Sequence, residues 1–187
     1  MHTIKTPRLS LEPITLEIVE AVLLDRREHV QRLANATLPS QWPGRALVER
    51  AFCASLDRIR ADPEARLWGD WLMISRDEGG GRRLVGSVIF AGRPGDDGVA
   101  EIGYGVEQAM QGQGYASEAA RTMVDWALAQ RETRSVRATT MPFHRASIRV
   151  LERAGLTCAG SEPHDALGEV LVFVRDASIG GGLRASA

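Results

Sequence analysis

A chain of 187 residues with 44% hydrophobic content is long enough to bury one sizeable core and short for two. Its 23 basic and 24 acidic residues leave a formal net charge of −1, with no basic block to neutralise a phosphate backbone, so nucleic-acid partners are not expected. No apolar run nears the ~18 residues of a membrane span, the start "MHTIKTPRLSLEP" has no signal-like apolar core, and Cys53 and Cys158 form neither a CxxC pair nor a zinc-type cluster, so no membrane, no metal and a cytoplasmic location are the expectations.

Leu9 to Ile14 alternates apolar and polar residues and reads as a first strand ended by Pro13. Thr15 is placed to cap a helix whose apolar positions Ile18, Val19, Ala21, Val22, Leu23 and Leu24 fit a period near 3.6 and which fades by Asn35. After "ATLPSQWPG" a second helix is expected from Arg45 to Asp62, with Leu47, Ala51, Phe52, Ser55 and Ile59 on one stripe and Pro63 just past its end. "WGDWLMISR" and "RRLVGSVIFAG" are rich in β-branched and aromatic residues and flank "DEGGG", a hairpin signal. The cluster "GRPGDDG" leads to a third strand of this series around Val99 to Val106.

The next helix has the clearest periodicity of the chain: Ala116, Ala119, Ala120, Met123, Val124, Ala127 and Leu128 form one stripe that faces a core. "SVRATTM" follows as a strand, then a short helix in "HRASIRVLERAG" that stops at Gly155, a usual place for a left-handed cap. "LTCAGSE" and "GEVLVFVRD" close the chain around the turn "PHDALG". Residues 1–177 are read as one domain and 178–187, within "ASIGGGLRASA", as a flexible Gly/Ser-rich tail. Both cysteines read as buried thiols in a reducing compartment, a disulfide staying open on sequence alone.

The order strand, two helices, three strands, helix, strand, helix, two strands is an α+β pattern with a mixed sheet. It lacks GxGxxG, GxxxxGK[ST], HExxH and GxSxG, which removes the usual handles for dinucleotides, nucleoside triphosphates, metal-dependent proteolysis and esterase chemistry. What stands out is the strand-to-helix passage "EIGYGVEQAMQGQGYASEAA". The first N–H groups of a helix have no internal acceptors and carry about half a positive charge, so this end attracts anions. Glycines at 112 and 114, with Ala116 beyond, would let a diphosphate reach the main chain. A turn that needs glycines only for its geometry explains the same residues equally well.

Gln111-Gly112-Gln113-Gly114-Tyr115-Ala116 resembles the Q/R-x-x-G-x-G/A pyrophosphate loop of the GNAT superfamily of acetyl-CoA-dependent N-acetyltransferases. "TPRLSLEPIT", "AEIGYGV" and "HRASIRVLERAGL" resemble further motifs of its RimJ/RimL-type branch, in order, over residues 6 to 175. The resemblance implies a mixed, curved sheet of about seven strands flanked by about four helices, in which the fourth and fifth strands splay to admit the pantetheine arm. It further implies that the backbone of Tyr104, Gly105 and Val106 pairs with that arm and that Gln111, Gly112, Gln113, Gly114, Tyr115, Ala116 and Ser117 wrap the pyrophosphate. The reaction implied is direct attack of a neutral amine on the thioester. Glu101 is the acidic candidate for the base, with a solvated strand carboxylate as the competing reading.

The family's usual phenolic acid would fall at Leu151 and its helix-opening Asn at His144, so the motif departs at two points. Ser147 is left as the candidate proton donor or cofactor contact, with a small packed residue as the alternative. His144 is a candidate shuttle, cap or cofactor contact. "LPSQWP" and "EPHDALG" are expected to shape the acceptor site, with Trp42 lining it, while Trp68, Trp71 and Trp126 are expected in a core or interface. The branch implies a protein N-terminal amine as acceptor. A small-molecule amine such as an amino acid, polyamine or antibiotic is the enzymatic alternative, and an acyl-CoA-binding regulatory module without turnover is the alternative of another class. A homodimer is an assembly that the resemblance allows.

Overall fold

The computed structural model describes residues 2–43, 53–76 and 81–177. One sheet of eight strands organises them: β1 (Ile4–Lys5), β2 (Leu9–Pro13), β3 (Asp70–Arg76), β4 (Arg82–Phe90), β5 (Val99–Val106), β6 (Ser135–Thr140), β7 (Thr157–His164) and β8 (Gly168–Asp176). Their spatial order is β1-β2-β3-β4-β5-β6-β8-β7, and every pairing is antiparallel except β5 with β6. The two-residue β1 raises the count above the seven expected strands, because a pair this short leaves no periodicity to detect.

Strand β3 shows why the sheet has a core on each face, since successive side chains point to opposite sides. Trp71 and Met73 enter the larger core with α4 (Tyr115–Leu128), whose Ala119, Ala120, Met123, Val124 and Ala127 are all buried, as the stripe predicts. Leu72 and Ile74 enter a second core with α1 (Leu16–Leu23), α2 (Arg27–Ala34) and α3 (Cys53–Ala61). Trp68, Trp71, Phe90 and Trp126 stack as an aromatic cluster in the first core, with Trp68 and Trp126 ring centroids 4.9 Å apart. Helix α5 (Arg145–Arg153) also packs on this side, through Leu151.

Thr15 does cap α1, its hydroxyl accepting from the Ile18 amide at 3.3 Å. The single helix expected from there to Asn35 is instead two. Asp25 adopts a left-handed φ of 52°, its amide donates to Val22 and the Arg26 amide donates to Ala21, which is a Schellman stop made without glycine. Asn35 ends α2 through the same pair of bonds, to Arg32 and Gln31, and Gly155 ends α5 through bonds to Glu152 and Leu151. The start of the second expected helix, residues 45–52, lies outside the described residues, as do hairpin residues 77–80 and the tail from 178. Cys158 is exposed on β7, correcting the expectation of a buried thiol. That strand is exposed along nearly all its length, and a bulge between Cys158 and Gly160 breaks its pairing with β8. Among the described residues no helix is long and apolar enough to cross a membrane, and no group of His, Cys, Asp or Glu could hold a metal ion.

Candidate active site

Strands β5 and β6 run parallel through three pairs, Val99 with Ser135, Ala100 with Val136 and Glu101 with Arg137, and then part. Beyond Glu101, β5 is paired only with β4, while β6 keeps β8 on its other side. Among the described residues the fork leaves one edge of Ile102–Val106 without a strand partner, so its backbone groups on that side need another one, which the Gln111 side chain supplies for the Val106 carbonyl alone. A cleft of about 510 Å³ opens there, between the end of β5, the head of α4 and the face of α5.

Most of the expected site residues meet in this cleft. Tyr104, Gly105 and Val106 line it from β5, Gln111, Gly112, Gly114, Tyr115, Ala116 and Ser117 from the loop and α4, and His144 and Ser147 from α5. Gly112 and Gly114 adopt φ values of 77° and 84°, conformations that L side chains rarely take. A Cβ at Gly105 or Gly112 would meet nothing within 4 Å, so the main chain there is open to a ligand. Gly114 is the N-cap of α4 and supplies no side-chain cap, which leaves the first amides of a 14-residue helix facing the loop.

Other expected residues have different surroundings. Gln113 is not in the cleft wall, and its carbonyl accepts from Arg8 Nη1 at 2.8 Å. Gln111 spends its amide on the Val106 carbonyl at 3.1 Å, tying the loop to the end of β5. Glu101 is exposed at the last paired position before the fork, on the face of β5 opposite to Tyr104. Trp42 is 3% exposed and belongs to the second core, against a separate cavity of about 240 Å³ that it shares with Val22, Arg27 and Val30. Its carbonyl accepts from Arg27 Nη1. His144 opens α5 without a side-chain cap bond, so its imidazole is left to the cleft. Leu151, where the family's phenol would fall, is 1% exposed in the first core.

A phenol reaches the site from another element. Tyr104 Oη lies 2.9 Å from Ser147 Oγ, a contact in which either hydroxyl can donate, and 3.1 Å from the Ser147 carbonyl, to which the phenol can also donate. Burial pushes the Tyr104 phenol above its ordinary value, against the opposing effect of the Ser147 bond, and it stays protonated at neutral pH. This contact joins residues 43 positions apart and has no local signature. The cationic side of the cleft was missed from the sequence: Arg149 and Arg153 line it, and their recurrence with Arg145 every fourth residue along α5 is the signal that could have found them.

Known proteins share this fold. The chain is 24% identical to the uncharacterized N-acetyltransferase YjdG of Bacillus subtilis over 155 residues, 83% of this chain and 89% of that one. Among solved structures it superposes on a RimL ribosomal L7/L12 α-N-protein acetyltransferase in complex with coenzyme A, with a TM-score of 0.65 at 17% identity, over 94% of this chain and 98% of that one. It also superposes on the microcin C7 self immunity acetyltransferase MccE in complex with acetyl-CoA and AMP, with a TM-score of 0.60 at 15% identity, over 91% and 93%. The acetyltransferase (GNAT) domain model matches residues 8–157, from just before β2 to the first residue of β7, and the chain therefore belongs to the GNAT acetyltransferase family.

Proposed function

We propose that this acetyltransferase moves an acetyl group from acetyl-CoA directly to a primary amine, and that the amine is a protein N-terminus. The observation that carries the donor half is the fork: an extended, amide-bearing arm suits the unpaired edge of Tyr104–Val106, and a diphosphate suits the open amides of Gly112 and Gly114 at the head of α4. Arg149 and Arg153 add positive charge for the remaining phosphate. The bound ligand supplies the thioester that donates the acetyl group. The likeness to RimL with coenzyme A and to MccE with acetyl-CoA supports the same ligand here.

The chain's own residues divide the proton work. Ser147 is the candidate donor to the departing thiolate, and Tyr104 returns a proton to it through their 2.9 Å contact. Glu101, just before the fork and on the far face from Tyr104, is the candidate base for an incoming ammonium, with His144 as a second proton carrier at the head of α5. Backbone N–H groups of β5 beyond the fork are the candidates for stabilising charge on the acyl oxygen. Neither cysteine has a role in this scheme.

The protein acceptor is supported by the RimJ/RimL-type motifs and by the likeness to RimL; the likeness to MccE favours a small-molecule amine as the second reading. A thiol-release assay with acetyl-CoA, N-terminal peptides and a panel of small amines separates them. Release with peptides is expected. Release with small amines alone would replace the acceptor, and tight CoA binding without release for any amine would replace the enzyme with a regulatory module. Glu101→Gln and Ser147→Ala should each lower kcat more than they lower CoA affinity.

A further inference from the structure

Two groups that would repel a diphosphate stand next to the loop proposed to hold one. Glu118 is in the first turn of α4, one turn beyond Gly114, and the Gln113 carbonyl belongs to the loop itself. A carboxylate at a helix N-terminus satisfies the helix but cancels the positive end on which anion binding depends. Both groups are turned onto one guanidinium. Arg8 Nε and Nη2 hold Glu118 Oε2 at 2.8 and 2.7 Å, and Nη1 holds the Gln113 carbonyl at 2.8 Å. The Arg8 amide takes the other carboxylate oxygen at 2.8 Å, shared with the Thr6 hydroxyl, which itself accepts from the Leu9 amide at 2.8 Å. The guanidinium carbon lies 4.8 Å over the ring of Tyr115, the first residue of α4. A Cβ at Gly114 would come within 3.3 Å of Arg8 Nη2, so loop and arginine are fitted to each other.

We propose that Arg8 is a positioning residue of the cofactor site: it neutralises Glu118, turns the Gln113 carbonyl out of the cleft, and so leaves the loop amides as the dominant charge facing a diphosphate. Neither Arg8 nor Glu118 lines the cleft, so the effect passes through the loop. Glu118 is 15% exposed at its side chain and Arg8 47%, which makes the carboxylate the fixed post and the arginine the strap. Burial pushes the Glu118 carboxyl up, but the Thr6 and Arg8 bonds outweigh it and hold it below its ordinary value, so it is charged whenever the cleft would be filled. The strap ties the segment before β2 to the head of α4, elements more than 100 residues apart in sequence.

The inference rests on the reading of 111–117 as a pyrophosphate loop, and the test separates the two. Calorimetric Kd values for CoA and for pantetheine, which has no diphosphate, are measured on the full chain, Arg8→Ala, Glu118→Gln and the double variant. Arg8→Ala should weaken CoA about tenfold and pantetheine by less than about twofold, and the CoA loss should shrink in the Glu118→Gln background, where no charge needs neutralising. Equal weakening of both ligands would make Arg8 a general structural residue, and unchanged CoA affinity would remove it from the site; either result overturns the proposal while the loop reading stands. If the unaltered chain binds CoA no better than pantetheine, the loop reading fails and takes the proposal with it.

Discussion

Asp70 offers a sharp test of the electrostatics. It opens β3 at 2% exposure, and its Oδ2 has no hydrogen-bond partner among the described residues. Burial pushes its carboxyl from 3.8 up to about 6, with Arg58 pulling in the opposite direction. A folded-state value above the unfolded one means that the native chain keeps a proton that the unfolded chain releases. The group therefore costs nothing below the unfolded value, and its cost grows as pH rises from 3.8 through about 6. At ~1.36 kcal/mol for each pH unit, the complete cost is about 3 kcal/mol, and roughly 2 of it accrues between about pH 4.5 and about pH 7.5.

Asp70→Asn removes the titration and keeps the shape. Urea unfolding of both proteins across that range should show the variant gaining on the parent by about 2 kcal/mol as pH rises, with equal m-values. Comparing the pair cancels the other titrating groups, among them Glu118, whose lowered value slopes the other way. A difference that stays flat with pH would refute the reasoning, because it would mean that Asp70 is ionised at no cost in the fold.

Three more outcomes follow from the site and the cores. Tyr104→Phe should reduce kcat by about tenfold or more with CoA affinity nearly intact, and Ser147→Ala should add little on top of it, since the two hydroxyls act as one unit; additive losses measured by steady-state kinetics would separate them. Gly114→Val forces a branched side chain into φ 84° against Arg8, so CoA should no longer raise the thermal midpoint of the variant; undiminished protection would remove the loop from the cofactor site. Trp42→Ala should cost about 3–5 kcal/mol of stability in denaturant unfolding, as a large buried ring leaves the second core. A variant as stable as the parent that shows a raised KM for the amine would return Trp42 to the acceptor site.

What could be read from sequence is what repeats locally. The α4 stripe at i, i+3, i+4 and i+7, the strand signals of β2 and β3 and the glycine at 155 each depend on neighbours within one element; the structure has both strands, buries the stripe and stops α5 at Gly155, while β2 and β3 are buried on both faces. The break between α1 and α2 escaped because an aspartate, not a glycine, takes the left-handed position that stops the helix. The site was half legible for the same reason. The loop glycines are local and were read, and the basic row of α5 is local but was passed over, whereas the phenol of Tyr104 reaches Ser147, and the guanidinium of Arg8 reaches Glu118, only after the sheet has brought distant segments together. Trp42 shows the difficulty from the other side, because an aromatic in a Pro-rich loop looks equally available to a ligand and to a core, and in the fold it joins the second core while also lining a cavity of about 240 Å³.

The uncovered margin of the sheet has a consequence for the protein in concentrated solution. A final strand exposed along its length is a template on which other extended chains can add, the first step towards aggregation. Here the template is spoiled along its length: the bulge puts Gly160 at φ 137° and interrupts the regular spacing of donors and acceptors, Pro163 withholds an N–H, and Glu169 places charge opposite Pro163. Strand-to-strand stacking of copies is thereby frustrated at β7 with no helix among the described residues to shield it, and straightening that edge, by deleting Ala159 and replacing Pro163, would be the direct way to make the chain precipitate.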